Sequence, residues 1–139
     1  MRNKLIITFL ALGCLALVSM PLSAQKGNGG GGSGCAVVYT PRLSTTEASP
    51  GTNIGVFGKV TNCAGGKKRY TITATAMSSC GEETMIASSL ISFSGGETKG
   101  LSVAFPIPPD TCPGVMTVTM SAYAGETMLS SESTVLTVP

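Results

Sequence analysis

The side chains with the most definite chemistry to offer are Cys35, Cys63, Cys80 and Cys112. None of them forms a C-x-x-C pair, which disfavours both a zinc knuckle and a redox-active dithiol. An even number in an exported chain favours two disulfides, and spacing alone leaves three pairings open. Histidine is absent, which removes Ser-His and Cys-His nucleophile pairs, His-ligated metals and the usual neutral-pH proton shuttle. No Ser-x-x-Lys occurs within residues 35–139. Glu82 and Glu83 are adjacent, so on an extended chain they point to opposite faces and make no carboxylate pair. The expectation is a protein without catalytic residues, metal or cofactor.

Other side chains bear on binding. Lys67, Lys68 and Arg69 stand beside Tyr70 as a candidate binding tip for acidic glycans or phosphate, weighed against a solvated hairpin turn. Methionine recurs at Met77, Met85, Met116, Met120 and Met128. Thioethers can hold Cu(I), but Met116 and Met120 on one strand would be about 13 Å apart, so core filling is the better account. Phe57 falls by parity on the face opposite Ile54 and Val56, either as an exposed anchor or covered by the loop that precedes it.

The elements that must position these residues alternate with period two. From residue 35 onward, turn residues interrupt that alternation every 8–15 positions, the signature of an all-β sandwich. Seven strands are expected, over 35–40, 52–63, 69–77, 84–93, 98–105, 115–123 and 132–138. Ile54, Val56, Gly58 and Val60 share one face of the second, and Tyr70, Ile72, Ala74 and Ala76 face inward on the third. Leu101, Val103 and Phe105 do so on the fifth, as do Met116, Val118, Met120 and Ala122 on the sixth. Threonines fill the opposite faces, where branched hydroxyl side chains suit the wet side of a sheet. Gly-Glu-Thr recurs at Gly96 and Gly125 as turn chemistry.

The start of the chain reads as an export signal over residues 1–24. Arg2 and Lys4 are followed by an apolar stretch from Leu5 to Val18, then Pro21-Leu22-Ser23-Ala24 for cleavage. That stretch is shorter than the roughly 20 residues of a membrane span, so no transmembrane segment is expected in the mature chain. Ala11-Leu12-Gly13-Cys14 is a partial lipoprotein box and makes lipid anchoring at Cys14 the alternative. Residues 25–34 form a Gly-rich flexible linker. Its Gly27-x-Gly29-x-x-Gly32 lacks the strand and helix that a dinucleotide fingerprint requires. Residues 35–139 then form one domain. Losing Arg2 and Lys4 takes the net charge from +2 to neutral, which leaves no electrostatic footprint for nucleic acid.

Several turns of this pattern resemble bacterial immunoglobulin-like domains, in particular the cell-adhesion-related, fibronectin type III-like group. They are Pro50-Gly51-Thr52, Val60-Thr61-Asn62-Cys63, Gly96-Glu97-Thr98, Phe105-Pro106-Ile107-Pro108 and Pro113-Gly114. Met116 stands where family members often carry a Tyr. The resemblance implies an all-β, seven-strand antiparallel immunoglobulin-like β-sandwich, exported to the periplasm, the cell surface or the medium. It would bind, adhere to or space proteins or glycans of the envelope without catalysis. A structural subunit of an extracellular fibre is the alternative, and the oligomeric state is open. The strand order so implied puts Cys35 beside Cys63 at one end and Cys80 beside Cys112 at the other.

Overall fold

The computed structural model describes residues 34–139. The export signal, Cys14 and all of the Gly-rich segment except Gly34 lie outside the described residues. Eight strands and no helix occur among them: β1 (Ala36–Val38), β2 (Arg42–Leu43), β3 (Asn53–Asn62), β4 (Lys68–Met77), β5 (Glu83–Phe93), β6 (Thr98–Pro106), β7 (Gly114–Ala124) and β8 (Thr127–Val138). Every strand pairing is antiparallel. In the first sheet β3 is central: β6 runs along one edge, and β1 and β2 share the other. The second sheet has the order β5-β4-β7-β8.

Alternation decides the core. Ile54, Val56 and Phe105 of the first sheet meet Ala76, Met116, Val118, Leu136 and Val138 of the second in one cluster. Ala36, Val38 and Val60 meet Tyr70, Ile72, Phe93, Met120 and Ala122 in the other. The two sheets therefore bury their inner faces against each other as a β-sandwich. Gly58 is part of this fit, because a Cβ there would overlap the thioether of Met120. Met116 and Met120 fill the core, but Met77, Met85 and Met128 are exposed, so core filling accounts for only some of the methionines.

The strand count is eight, not the seven expected, and Pro41 is the reason. Val38 pairs with Val60 and Arg42 with Phe57, so three residues on this edge oppose only two on β3. Such a bulge reverses the side-chain alternation, and Pro41, lacking an N–H, suits the irregular step. Pro41 turns inward, Arg42 outward, and Leu43 packs against the core. The last strand also starts earlier than expected, at Thr127, because its hydroxyls pair with β7: Thr119 with Ser133 at 2.8 Å and Ser121 with Ser131 at 3.0 Å. Between β7 and β8 the tip closes through Gly125 at φ 63°.

Two disulfides, Cys35–Cys63 and Cys80–Cys112, have Cα separations of 5.0 and 6.1 Å. They point to an oxidising compartment. Beside the first sits a buried polar hub. Asn62 is 0% exposed, and its amide donates to the carbonyls of Gly66 (2.9 Å) and Ser94 (3.0 Å). Its Oδ1 accepts the Ala64 N–H (3.0 Å) and the Tyr70 hydroxyl (2.7 Å). That hydroxyl also accepts the Cys35 N–H at 3.0 Å. Removing one partner of a buried hydrogen bond costs about 1–3 kcal/mol per group left unsatisfied. Tyr70→Phe should therefore destabilise by about 1–2 kcal/mol and Asn62→Leu by about 3 kcal/mol or more. Urea midpoints that stayed within error of the parent would contradict this. Reducing both disulfides should lower stability by about 3 kcal/mol or more, each loop being near 30 residues.

Candidate functional site

The outward residues of β3 alternate as Phe57, Lys59 and Thr61, opposite the buried Val56, Gly58 and Val60. Their register partners complete a surface. Phe57 lies between Arg42 on β2 and Ser102 on β6. Lys59 lies opposite Gly100 on β6 and accepts the N–H of Tyr39 at its carbonyl, 3.0 Å away. Neighbouring rungs thus read Arg42-Phe57-Ser102 and Tyr39-Lys59-Gly100, with two aromatics on one diagonal and two cations on the other. The bulge at Pro41 makes this pattern, since unbroken alternation from Val38 would have turned Arg42 inward.

A hollow of about 450 Å³ lies in this face, lined among others by Tyr39, Arg42, Phe57, Lys59, Gly100 and Ser102. The two rings lean apart to open it. Tyr39 reaches toward Thr61, whose hydroxyl donates to the Tyr39 hydroxyl at 3.1 Å. Phe57 lies over Gly55, where an added Cβ would come within 2.8 Å of the ring. Gly100 contributes no side chain, and an added Cβ there would meet nothing closer than the Gly58 carbonyl at 4.0 Å. Tyr39 is 47% and Phe57 44% exposed. Arg42 and Lys59 have no ion pair among the described residues. One carboxylate approaches the rim, where Thr40 donates to Glu132 at 3.3 Å.

Of the candidate tip of Lys67, Lys68, Arg69 and Tyr70, Lys67 and Arg69 are exposed, Lys68 is half-buried and Tyr70 is not at the surface. Tyr70 is 1% exposed, a correction to its place in that tip: period two groups it with Ile72 and Ala74, and its hydroxyl is used by Asn62 and Cys35. Arg69 points outward from β4, while Lys67 sits in the preceding turn. Phe57 is exposed, and the loop after β1 does not cover it. Arg42 escaped the sequence reading because a bulge leaves no compositional mark beyond a proline, whereas Tyr39 and Lys59 are outward by simple alternation and gain their setting only from neighbours on other strands. No three carboxylate, thiol or imidazole side chains gather at metal-binding distance among the described residues.

No family model matches this chain, and no curated protein matches it in sequence. Solved structures do match in fold. A CARDB domain of a Pyrococcus furiosus protein, an immunoglobulin-like, adhesion-related domain determined with di-metal ions, superposes with a TM-score of 0.55 at 13% identity. That match covers 76% of this chain and 86% of that one. A β-glucosidase from Erythrobacter marinus matches with a TM-score of 0.63 at 10% identity, over 76% of this chain. An alkylpurine DNA glycosylase from Pseudomonas fluorescens, bound to DNA with an abasic site analogue, matches at 0.62 and 14% identity, over 74%. This chain spans only 16% of the glucosidase and 30% of the glycosylase. Such identities carry fold alone.

Two glycines separate packing from surface shape. Gly58→Ala should destabilise by about 1–3 kcal/mol through overpacking against Met120. Gly100→Val should leave the melting temperature unchanged or raise it, since the position is open and a branched residue suits a strand. The reverse order in a thermal melt would contradict the assignment of one glycine to the core and the other to the hollow.

Proposed function

We propose that the chain is an exported, non-enzymatic immunoglobulin-like module that holds another component of the cell envelope or surface on the outer face of its first sheet. One observation carries this reading: two exposed aromatics and two cations without ion pairs among the described residues surround a hollow on the outer face of the first sheet. Exposed Tyr and Phe with flexible cations at the rim are the usual makings of a recognition surface. The disulfides and the signal-like residues 1–24 support export. The fold likeness to an adhesion-related domain supports a role in attachment, as do the small shares of larger proteins that this fold occupies in other matches.

A fibre subunit built by donated strands is less favoured, because β1 and β8 are both present and the sandwich lacks no strand. Export predicts that the protein recovered outside the cytoplasm begins at Gln25. A lipid-modified Cys14 at its N-terminus would replace that cleavage with membrane anchoring.

Binding is tested with labelled protein on the envelope fraction of cells that carry its gene. Tyr39→Ala/Phe57→Ala should reduce retention at least about tenfold, equivalent to roughly 1.4 kcal/mol, with an unchanged melting temperature. Lys67→Ala/Arg69→Ala should leave retention intact. Retention that ignored Tyr39 and Phe57, or that vanished with the turn variant, would remove this face as the binding surface.

A further inference from the structure

We infer that the hollow on the first sheet takes a segment of an acidic polysaccharide, one whose sugar rings carry carboxylates. The inference rests on the binding role proposed above and names its ligand class. Four features of the site lead there. The first is charge: Arg42 and Lys59 sit on one diagonal of the rungs without an ion pair among the described residues, and the carboxylate at the rim, Glu132, accepts from Thr40. Guanidinium and ammonium groups without local partners favour an anionic ligand.

The second feature is the pair of rings. Tyr39 and Phe57 occupy the other diagonal, roughly 7 Å apart at the Cβ level by sheet geometry. Rings exposed to this extent offer flat apolar surface, and a pyranose offers a matching face of C–H groups. The third is the hydroxyl set of Tyr39, Thr40 and Ser102, which lines the same hollow and suits the hydroxyl-bearing edge of a sugar.

The fourth is what the face lacks. β3 is hydrogen-bonded on both sides, to β6 along one edge and to β1 and β2 along the other. An extended peptide usually gains its affinity by adding a strand to a free edge; the open edge of this sheet is the far side of β6, whereas the rings and cations of the hollow project from the face over β3. Side-chain stacking and charge remain, which a polysaccharide can satisfy without backbone pairing. The floor at Gly100 and the outward lean of both rings give the chain somewhere to lie.

The test uses the purified protein on sensor surfaces bearing oligogalacturonate, a neutral galacto-oligosaccharide of equal length, or poly-glutamate. Binding to oligogalacturonate should exceed that to the neutral sugar by at least about tenfold and fall as salt rises, because exposed charges are screened. Arg42→Ala/Lys59→Ala should lose at least about fivefold on oligogalacturonate, and Glu132→Gln should gain affinity. Gly100→Val, which fills the floor without entering the core, should abolish binding with an unchanged melting temperature. Equal binding to the neutral sugar, equal or stronger binding to poly-glutamate, or no binding to oligogalacturonate would each overturn the ligand class. If envelope retention still depended on Tyr39 and Phe57 after such a result, the binding face would stand and only its ligand would change. If that dependence were also absent, both readings would fall together.

Discussion

A buried primary amide has two hydrogens to donate and two lone pairs to fill, and the structure at one pole is organised around meeting all four demands of Asn62. The partners come from three stretches: Ala64 and Gly66 from the β3–β4 turn, Ser94 from the β5–β6 turn, and Tyr70 from the opposite sheet. Satisfying the amide fixes where both turns lie. Their backbones then approach so closely that a side chain at Gly95 would come within 2.5 Å of the Gly65 carbonyl. Through the Tyr70 hydroxyl the network reaches Cys35, whose disulfide returns to Cys63, the residue after Asn62. Covalent and polar constraints thus converge on one corner. Beside it, Tyr70 packs on Phe93 at 5.7 Å, and Lys99 covers Phe93 at 5.6 Å.

The sandwich is not closed equally on its two sides. Where β1 and β2 approach β8, Thr137 donates its N–H to the Thr46 carbonyl and accepts the Ala48 N–H, while Val38 donates to the Ser130 hydroxyl. These bonds join the edges of the two sheets. On the other side β5 and β6 are each paired only once, and a cleft of about 210 Å³ opens between Ala87 and Ile91 of one and Leu101 and Val103 of the other. Inward-facing side chains there are only half buried. Core stability therefore concentrates toward the β1–β8 side, where a central strand and bonded edges hold the rungs that carry Tyr39 and Arg42.

How far the sequence discloses this follows from the range of each interaction. Local signals were readable: period two identifies Ile54, Val56, Tyr70, Ile72, Met116 and Val118 as inward, and Gly-Glu or Pro-Gly pairs mark the turns. Signals that depend on distant partners were not. Asn62 reads as one more polar residue before a cysteine until Ser94, thirty-two positions on, supplies its second acceptor. Tyr70 carries two local readings, a neighbour of three basic residues and a member of an inward row, and burial favours the row. Arg42 lies one residue past a proline that reads as a strand end. Whether a chain stops at such a residue or steps over it depends on the length of the strand alongside, and β3 runs on to Asn53.

That step over Pro41 decides which side chains the outer face carries. A sheet face recognises a ligand only through the side chains that alternation brings outward, and alternation offers one fixed set per strand. Shifting the set requires an extra residue, and at an outer strand this disturbs one row of hydrogen bonds rather than two. The bulge sits on such an outer strand, beside the fully paired β3. It replaces what would be an inward arginine and an outward leucine with the opposite pair: Leu43 joins the core, and Arg42 joins Phe57 on the surface. One inserted residue therefore both improves burial and supplies a cation to the face. β3, which carries the middle of these rungs, is held on both edges and packed beneath by Val56 and Val60. A chain with equal numbers of acidic and basic residues after residue 24 still presents positive charge locally, because Arg42 and Lys59 stand on neighbouring rungs without an ion pair among the described residues.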